Sequence, residues 1–318
     1  MEEPQTYDVI IVGQGAAAYS AGLYTARYQI STLIVGAWFG GETATGGMIG
    51  NYPGYVEIDG LDLMLHMQEQ TKRLEVPIET AKVESISREG ECFLARTDAG
   101  DEFRGNAVVL AMGRERRKLG IPREDEWTGH GVSFCSTCDA PLYSGKSAVV
   151  VGGGDSAVKG AALLSKYADK VYVIYRGDKF ARPEPINVRL LEAQKNAEVL
   201  FNTKVVDLKG EDGVTGVVLD RAHNGSNEID VDGIFIEIGA DPNFQLAKQL
   251  GVDLNDMNEV IVDKMMKTNI PGVLAAGDIT NGSGDLKQTI TAAAQGALAA
   301  TSAYEYAIEH PYACKPHA

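Results

Sequence analysis

A strand, glycine turn and helix pattern that occurs twice constrains this chain more than any other feature. "YDVIIVGQGAAAYSAGLYTARY" begins with a β-branched run ending at Val12, places Gly13, Gly15 and Ala18 at GxGxxA spacing, and continues as a helix-compatible segment to Arg27. "SAVVVGGGDSAVKGAALLSKYADKVYVIYRG" repeats the pattern with a strand over 147–151, then Gly152, Gly154 and Ala157, a helix to about Lys166, and a second strand over 170–175. In such a turn the first glycine permits the tight bend and the second lets backbone approach a pyrophosphate. The third small residue lets helix pack closely on strand, with the phosphate facing the helix N-terminus. Either cluster also fits a plain βα turn in another doubly wound protein, whereas two in the correct strand–turn–helix context make a chance match much less likely and point to dinucleotide binding. Two dinucleotides imply an electron relay, in which a nicotinamide delivers hydride and a flavin receives it.

At 318 residues and 34.0 kDa the chain exceeds the roughly 250 to 300 residues that one core spans, so two domains are expected. The formal charge of −15 is spread without a basic block, which disfavours a nucleic-acid partner. The start, "MEEPQTYDV", is acidic where a secretory signal is basic, and no apolar run reaches the roughly 18 residues of a membrane span. A cytoplasmic protein with no membrane association is the expectation.

Near the other end, an apolar strand from Gly272 to Ala276 runs into Gly277 and Asp278, and a small-residue helix follows from about Thr289 to Tyr304. An acid at that strand end suits a ribityl hydroxyl of FAD, or else it caps a turn. Two of the four cysteines stand together in "FCSTCDAP". A metal site, a structural disulfide and a redox pair all use this spacing. Zinc asks for four ligands, but Cys92 and Cys314 are isolated and His130 has no second histidine beside it. No metal is expected, and Cys92 and Cys314 read as a strand residue and a tail residue outside any disulfide framework.

Taken in order, Gly13–Ala18, "GGETATGGMIGNYPGY" from Gly40, the Cys135–Cys138 pair with Asp139, Gly152–Ala157, "IGADPN" from Ile238, "AAGD" ending at Asp278 and "KQT" at 287–289 resemble the low-molecular-weight thioredoxin reductases of the pyridine nucleotide–disulfide oxidoreductase superfamily. The resemblance covers essentially the whole chain. It implies an α/β fold of two Rossmann-like, three-layer domains, the second inserted in the first, in a homodimer. The FAD-binding domain would comprise 1–116 and 246–318, and the NAD(P)-binding domain, carrying the cysteine pair, 117–245. The family's FAD site maps onto Gly13, Gly15, Ala16, Ala17, Gly40, Gly41, Glu42, Asn51, Gly113, Gly277, Asp278, Lys287, Gln288 and Thr289. Its NADPH or NADH site maps onto Gly152, Gly154, Asp155, Ser156, Ala157, Tyr175, Arg176, Lys179 and Arg182.

The resemblance further implies that electrons pass from NAD(P)H to FAD to a Cys135–Cys138 disulfide, and then to thioredoxin or a thioredoxin-like or glutaredoxin-like protein. Cys138 would face the flavin, Cys135 would attack the partner, and Asp139 would be the general acid–base, given burial enough to raise its pKa. Family members rotate one domain against the other to give both donor and cysteines access to the flavin.

The chain departs from the family at identifiable points. NADPH-using members carry His-Arg-Arg after the inserted domain's second strand and a further Arg four residues on, where this chain has Tyr175, Arg176, Gly177 and Ala181. The acid of an NADH site is also missing, and Lys159 and Gly160 stand where two glutamates are usual. In the FAD half, Gly36 and Ala37 replace the usual ribose-binding acid, Glu42 replaces Gln, Met112 replaces Thr and Lys287 replaces Arg. Three alternatives therefore stay open beside the thioredoxin reductase. One is a disulfide reductase with a degenerate nicotinamide site and another electron donor. Another is an NAD(P)H-dependent flavoprotein reductase of a different acceptor, such as a small-molecule disulfide; its peroxiredoxin-reducing form is disfavoured, because the roughly seven residues before the first strand leave no room for that form's extra N-terminal redox domain. The third, from a different class, is a non-catalytic FAD-binding redox sensor.

Overall fold

Val9 and Ile11 bury themselves in one apolar cluster while Ile10 and Val12 enter another, so the strand Gln5–Val12 is covered on both faces. That is the signature of a parallel sheet sandwiched by helices and further strands, and it explains why the sequence reads as a continuous apolar run. The computed structural model describes residues 4–284, 286–311 and 314. It divides into two compact units, one formed by residues up to Glu115 with those from Pro242, the other by Arg116–Asp241.

In the first unit the strands run in the order Ile78–Glu79, Thr32–Val35, Gln5–Val12, Glu102–Leu110, Cys92–Thr97, Val83–Glu89, and Val273–Ala275 joins the parallel part beside Glu102–Leu110. The two last-named strands of the path pair antiparallel. The helix Ala16–Arg27 packs on the long helix Thr289–Glu309. The two backbones come so close that a Cβ on Gly296 would lie 2.1 Å from the Ala17 carbonyl oxygen, and small residues at both positions are what permit the approach.

The second unit repeats the plan on a smaller scale. Its five parallel strands run Val132–Ser133, Gly233–Ile236, Ser147–Val151, Lys170–Ile174, Ala197–Leu200. Val149 and Val151 face one cluster, Ala148 and Val150 the other, again burying both faces. A separate antiparallel sheet, Val205–Lys209, Gly216–His223 and Ser226–Asp230, follows. None of the described helices is long and apolar enough to cross a membrane.

One expectation is overturned. Cys92 and Cys314 are joined in a disulfide with a Cα–Cα distance of 4.8 Å, across 222 residues of sequence. Cys92 opens the strand Cys92–Thr97 and is buried. The Cys314 amide donates to Asn106 Oδ1 at 3.2 Å, which holds the tail beside the neighbouring strand. Two lone cysteines gave no spacing signal, because the sheet that joins them is assembled from opposite ends of the chain.

Candidate active site

Cys135 and Cys138 form a disulfide with a Cα–Cα distance of 5.4 Å. Cys135 sits in extended backbone as the N-cap of the short helix Ser136–Asp139, and its Sγ accepts from the Cys138 amide at 3.1 Å. The Cys135 amide donates to Ser133 Oγ at 3.0 Å. Cys138 is exposed, whereas Cys135 and Asp139 are half-buried. Asp139 therefore lies one residue beyond the exposed Cys138, at the end of the helix that carries it.

Glu237, which follows the strand Gly233–Ile236, carried no signal in the sequence. Its Oε1 accepts from the Ser136 amide at 3.2 Å and from Ser136 Oγ at 2.8 Å, and its Oε2 accepts from Arg116 Nη1 at 3.2 Å. Arg116 Nη1 also donates to the Phe134 carbonyl. Partners about 100 and 120 residues away in sequence leave no local pattern from which such a site is read.

The two glycine turns are built alike. Gly13 has φ +125°, its amide donates to the Val35 carbonyl at 2.8 Å, and a Cβ there would lie 2.3 Å from the Ala111 carbonyl oxygen. Gly152 has φ +148°, donates to the Ile174 carbonyl at 3.0 Å, and would place a Cβ 2.2 Å from the Glu237 carbonyl oxygen. Both positions thus require glycine for conformation and for space. Gly15 and Gly154 cap the helices that follow, and a Cβ on either would meet nothing within 4 Å. The open side of each is where a pyrophosphate approaches the helix N-terminus.

Around the first turn the residues fit FAD. Gly40 donates its amide to the Gln14 carbonyl at 2.8 Å, and Gly41 would bring a Cβ to 3.6 Å of Gly15 Cα, so two glycine-rich segments face each other. Ala16 and Ala17 are buried in the first helical turn, Gly113 is open, and Glu42 is exposed on the short helix Gly41–Ala44. Asn51 Nδ2 donates to Gln288 Oε1 at 3.1 Å, and Thr289 Oγ1 lies 3.0 Å from Thr43 Oγ1.

Gly277 holds Asp278 at the end of its strand, and the Asp278 carboxylate accepts no hydrogen bond from the described residues. Burial pushes its pKa up, and the charges of Arg114 and Lys287 only partly counter this. A carboxylate in that state is an acceptor in search of a hydroxyl donor, as a ribityl chain would supply. Lys287 turns instead to Glu259 Oε1 at 2.9 Å and to the Thr280 carbonyl. Arg114, also unread in the sequence, donates to Glu259 Oε1 at 2.7 Å and to the Asp278 carbonyl at 3.0 Å.

Around the second turn the fit is less complete. Ala157 is fully buried against the turn, and Ser156 lies in the first helical turn. The Asp155 carboxylate is engaged, accepting from the Glu184 amide at 2.7 Å and Asn187 Nδ2 at 2.9 Å. The Tyr175 ring lies against both Gly153 and Gly177, either of which would place a Cβ within 2.5 Å of a ring atom. Ala181 donates to the Gly153 carbonyl at 2.7 Å. Arg176, Lys179 and Arg182 are exposed. The turn keeps the glycine geometry that would admit a pyrophosphate, and an aromatic ring stands where an acid or a paired arginine would meet the adenosine.

Residues 7–296 match the family described as pyridine nucleotide-disulphide oxidoreductase, whose members use FAD and a pyridine nucleotide. A Mycolicibacterium smegmatis thioredoxin reductase is 38% identical over 315 residues, covering 97% of this chain and 99% of that protein. Among solved structures, Lactococcus lactis thioredoxin reductase matches with a TM-score of 0.88 at 34% identity, covering 95% of this chain and 99% of that one. A more distant one, the ferredoxin-flavin thioredoxin reductase of Clostridium acetobutylicum, matches with a TM-score of 0.53 at 29% identity, covering 96% and 100%. Matched over nearly its whole length, and with a Cys-x-x-Cys disulfide in its second unit, the chain belongs to the pyridine nucleotide-disulphide oxidoreductases, in the branch of the low-molecular-weight thioredoxin reductases.

Proposed function

We propose that this protein is a thioredoxin-disulfide reductase, with FAD held by the first unit and a nicotinamide nucleotide by the glycine turn of the second. The observation that carries the reading is the Cys135–Cys138 disulfide, with Cys138 exposed and an acid at the next position. FAD, when bound, supplies the two-electron store between hydride donor and disulfide. On the protein side, two electrons break the Cys135–Cys138 bond. The Cys135 thiolate then attacks the partner's disulfide, forming a mixed disulfide and expelling a partner thiolate that Asp139 is placed to protonate. Attack of the Cys138 thiolate on Cys135 Sγ releases the second partner thiolate and restores the starting disulfide. Asp278 and Gln288 hold the flavin's polar groups, and Gly13 and Gly15 admit its pyrophosphate. The partner is a thioredoxin or a similar small disulfide protein, and the enzyme works in the cytoplasm as a homodimer.

A second reading differs only in the donor. Tyr175 against Gly153 and Gly177, with Gly177 and Ala181 in place of arginines, favours a reductase fed by something other than NADPH, and one relative is a ferredoxin-flavin thioredoxin reductase. Anaerobic mixing of the FAD-loaded protein with NADPH and, separately, NADH decides between them. Fast bleaching of the flavin's visible band by either supports the nicotinamide route. Failure with both, alongside intact reduction by a one-electron protein donor, replaces it with the second reading.

A further inference from the structure

The thiol–disulfide cycle above gives no part to Glu237, whose carboxylate lies next to the redox turn. Glu237 is 8% exposed at its side chain and is paired with Arg116. Together they grip the backbone on both sides of Cys135. The guanidinium takes the carbonyl of Phe134 and the carboxylate takes the amide and hydroxyl of Ser136. The helix Asp155–Leu164 leaves space for this arrangement, since a Cβ on Gly160 would lie 2.5 Å from Ser136 Oγ. Burying such a pair is no better for stability than apolar packing of the same volume. Its place beside the reactive sulfur points to a role in reactivity.

A carboxylate bound to the residue after a cysteine disfavours a second negative charge on that thiol, and a guanidinium bound to the residue before it favours one. We propose that Glu237 and Arg116 are positioning residues that hold the redox turn and set the thiolate equilibrium of the Cys135–Cys138 dithiol through their opposed charges. This rests on the reading of Cys135–Cys138 as the working pair. The other ionisable groups on the elements packed against the redox turn include Asp139 on the redox helix, Tyr143 on the turn Ala140–Tyr143 that follows it, and Asp155 and Lys159 on the helix beside it. The variants below leave all four unchanged.

The test is the pH profile of alkylation of the two cysteines, measured in the FAD-loaded full chain after chemical reduction and resolved peptide by peptide with mass spectrometry. Glu237→Gln is expected to lower the apparent pKa of the more reactive thiol and raise its thiolate fraction at neutral pH about tenfold, and Arg116→Met to shift both in the opposite sense by a similar factor. Glu237→Asp, which keeps the charge, is expected to stay within about twofold of the wild type. Shifts of the same sign in the first two variants, no shift in either, or a tenfold shift in Glu237→Asp overturns the proposal. If one of the first two variants does not retain flavin, the sign in the other decides. The measurement uses neither an electron donor nor a partner protein, so its failure is distinct from failure of the reductase reading, which would show instead as no electron transfer to thioredoxin.

Discussion

Replacing Cys314 with Ser removes the bond that closes more than two thirds of the chain into a loop. With the two cysteines separated by 222 positions in sequence, the chain-entropy relation gives about 18 cal/mol/K of unfolded-state entropy restored by the substitution, or about 5 kcal/mol at 25 °C. Offsetting terms are small, because Cys92 left as a buried thiol behaves as a compact apolar residue. Taking a urea dependence of about 2 kcal/mol/M, the unfolding midpoint of the first unit falls by about 2.5 M. The assay is urea unfolding followed by circular dichroism and by release of flavin fluorescence, comparing Cys314→Ser with oxidised wild type. Thiol counting under denaturing conditions reports none in the wild type and one in the variant. Coincident midpoints, with the wild type verified as fully disulfide-bonded, would refute the reasoning that this bond constrains the unfolded chain.

Cys138→Ser is expected to cut disulfide-reducing turnover by about three orders of magnitude or more while the protein stays yellow, as measured by thioredoxin reduction beside the flavin spectrum. Gly13→Ala forces a Cβ to 2.3 Å from the Ala111 carbonyl at φ +125°. It should cost about 1 to 3 kcal/mol and lower the flavin-to-protein absorbance ratio of the purified protein. Glu259 is held below its ordinary pKa because hydrogen bonds from Lys287 and Asn255 and the charges of Lys287 and Arg114 outweigh the opposing effect of burial. Its contribution is therefore present above pH 4.5 and is lost as pH falls through the depressed native value. Glu259→Gln should be destabilised by about 3 kcal/mol at neutral pH, with the gap to wild type closing in acid, as read from thermal unfolding at a series of pH values.

The glycine turns were legible because their spacing specifies backbone conformation. Gly13 and Gly152 must take positive φ, and that requirement is written in consecutive residues. The strands were legible as β-branched runs, and the ends of the helix from Thr289 were blurred, since it continues to Glu309 past the Tyr304 at which the small-residue pattern fades. Contacts between distant segments could not be read. Arg114 reaches Glu259 across 145 residues and Arg116 reaches Glu237 across 121, and no local spacing pairs them, even though Glu237 directly precedes the "IGADPN" stretch. Cys92 and Cys314 were misread for the same reason. The meaning of Tyr175 was half-visible, because its mismatch with the family stood out but the glycines it lies against were revealed only by the turn's geometry.

The central claim is that electrons leave this protein through Cys135 and Cys138, whatever donor supplies them. The most direct test photoreduces the FAD-loaded protein anaerobically by two electrons, mixes it with an oxidised thioredoxin, and counts thiols on the separated thioredoxin. The account predicts one thioredoxin disulfide opened per reduced enzyme in the wild type and, with Cys138→Ser, none released. Reduced flavin that persists beside fully oxidised thioredoxin, or a Cys138→Ser variant that still yields reduced thioredoxin, would contradict it.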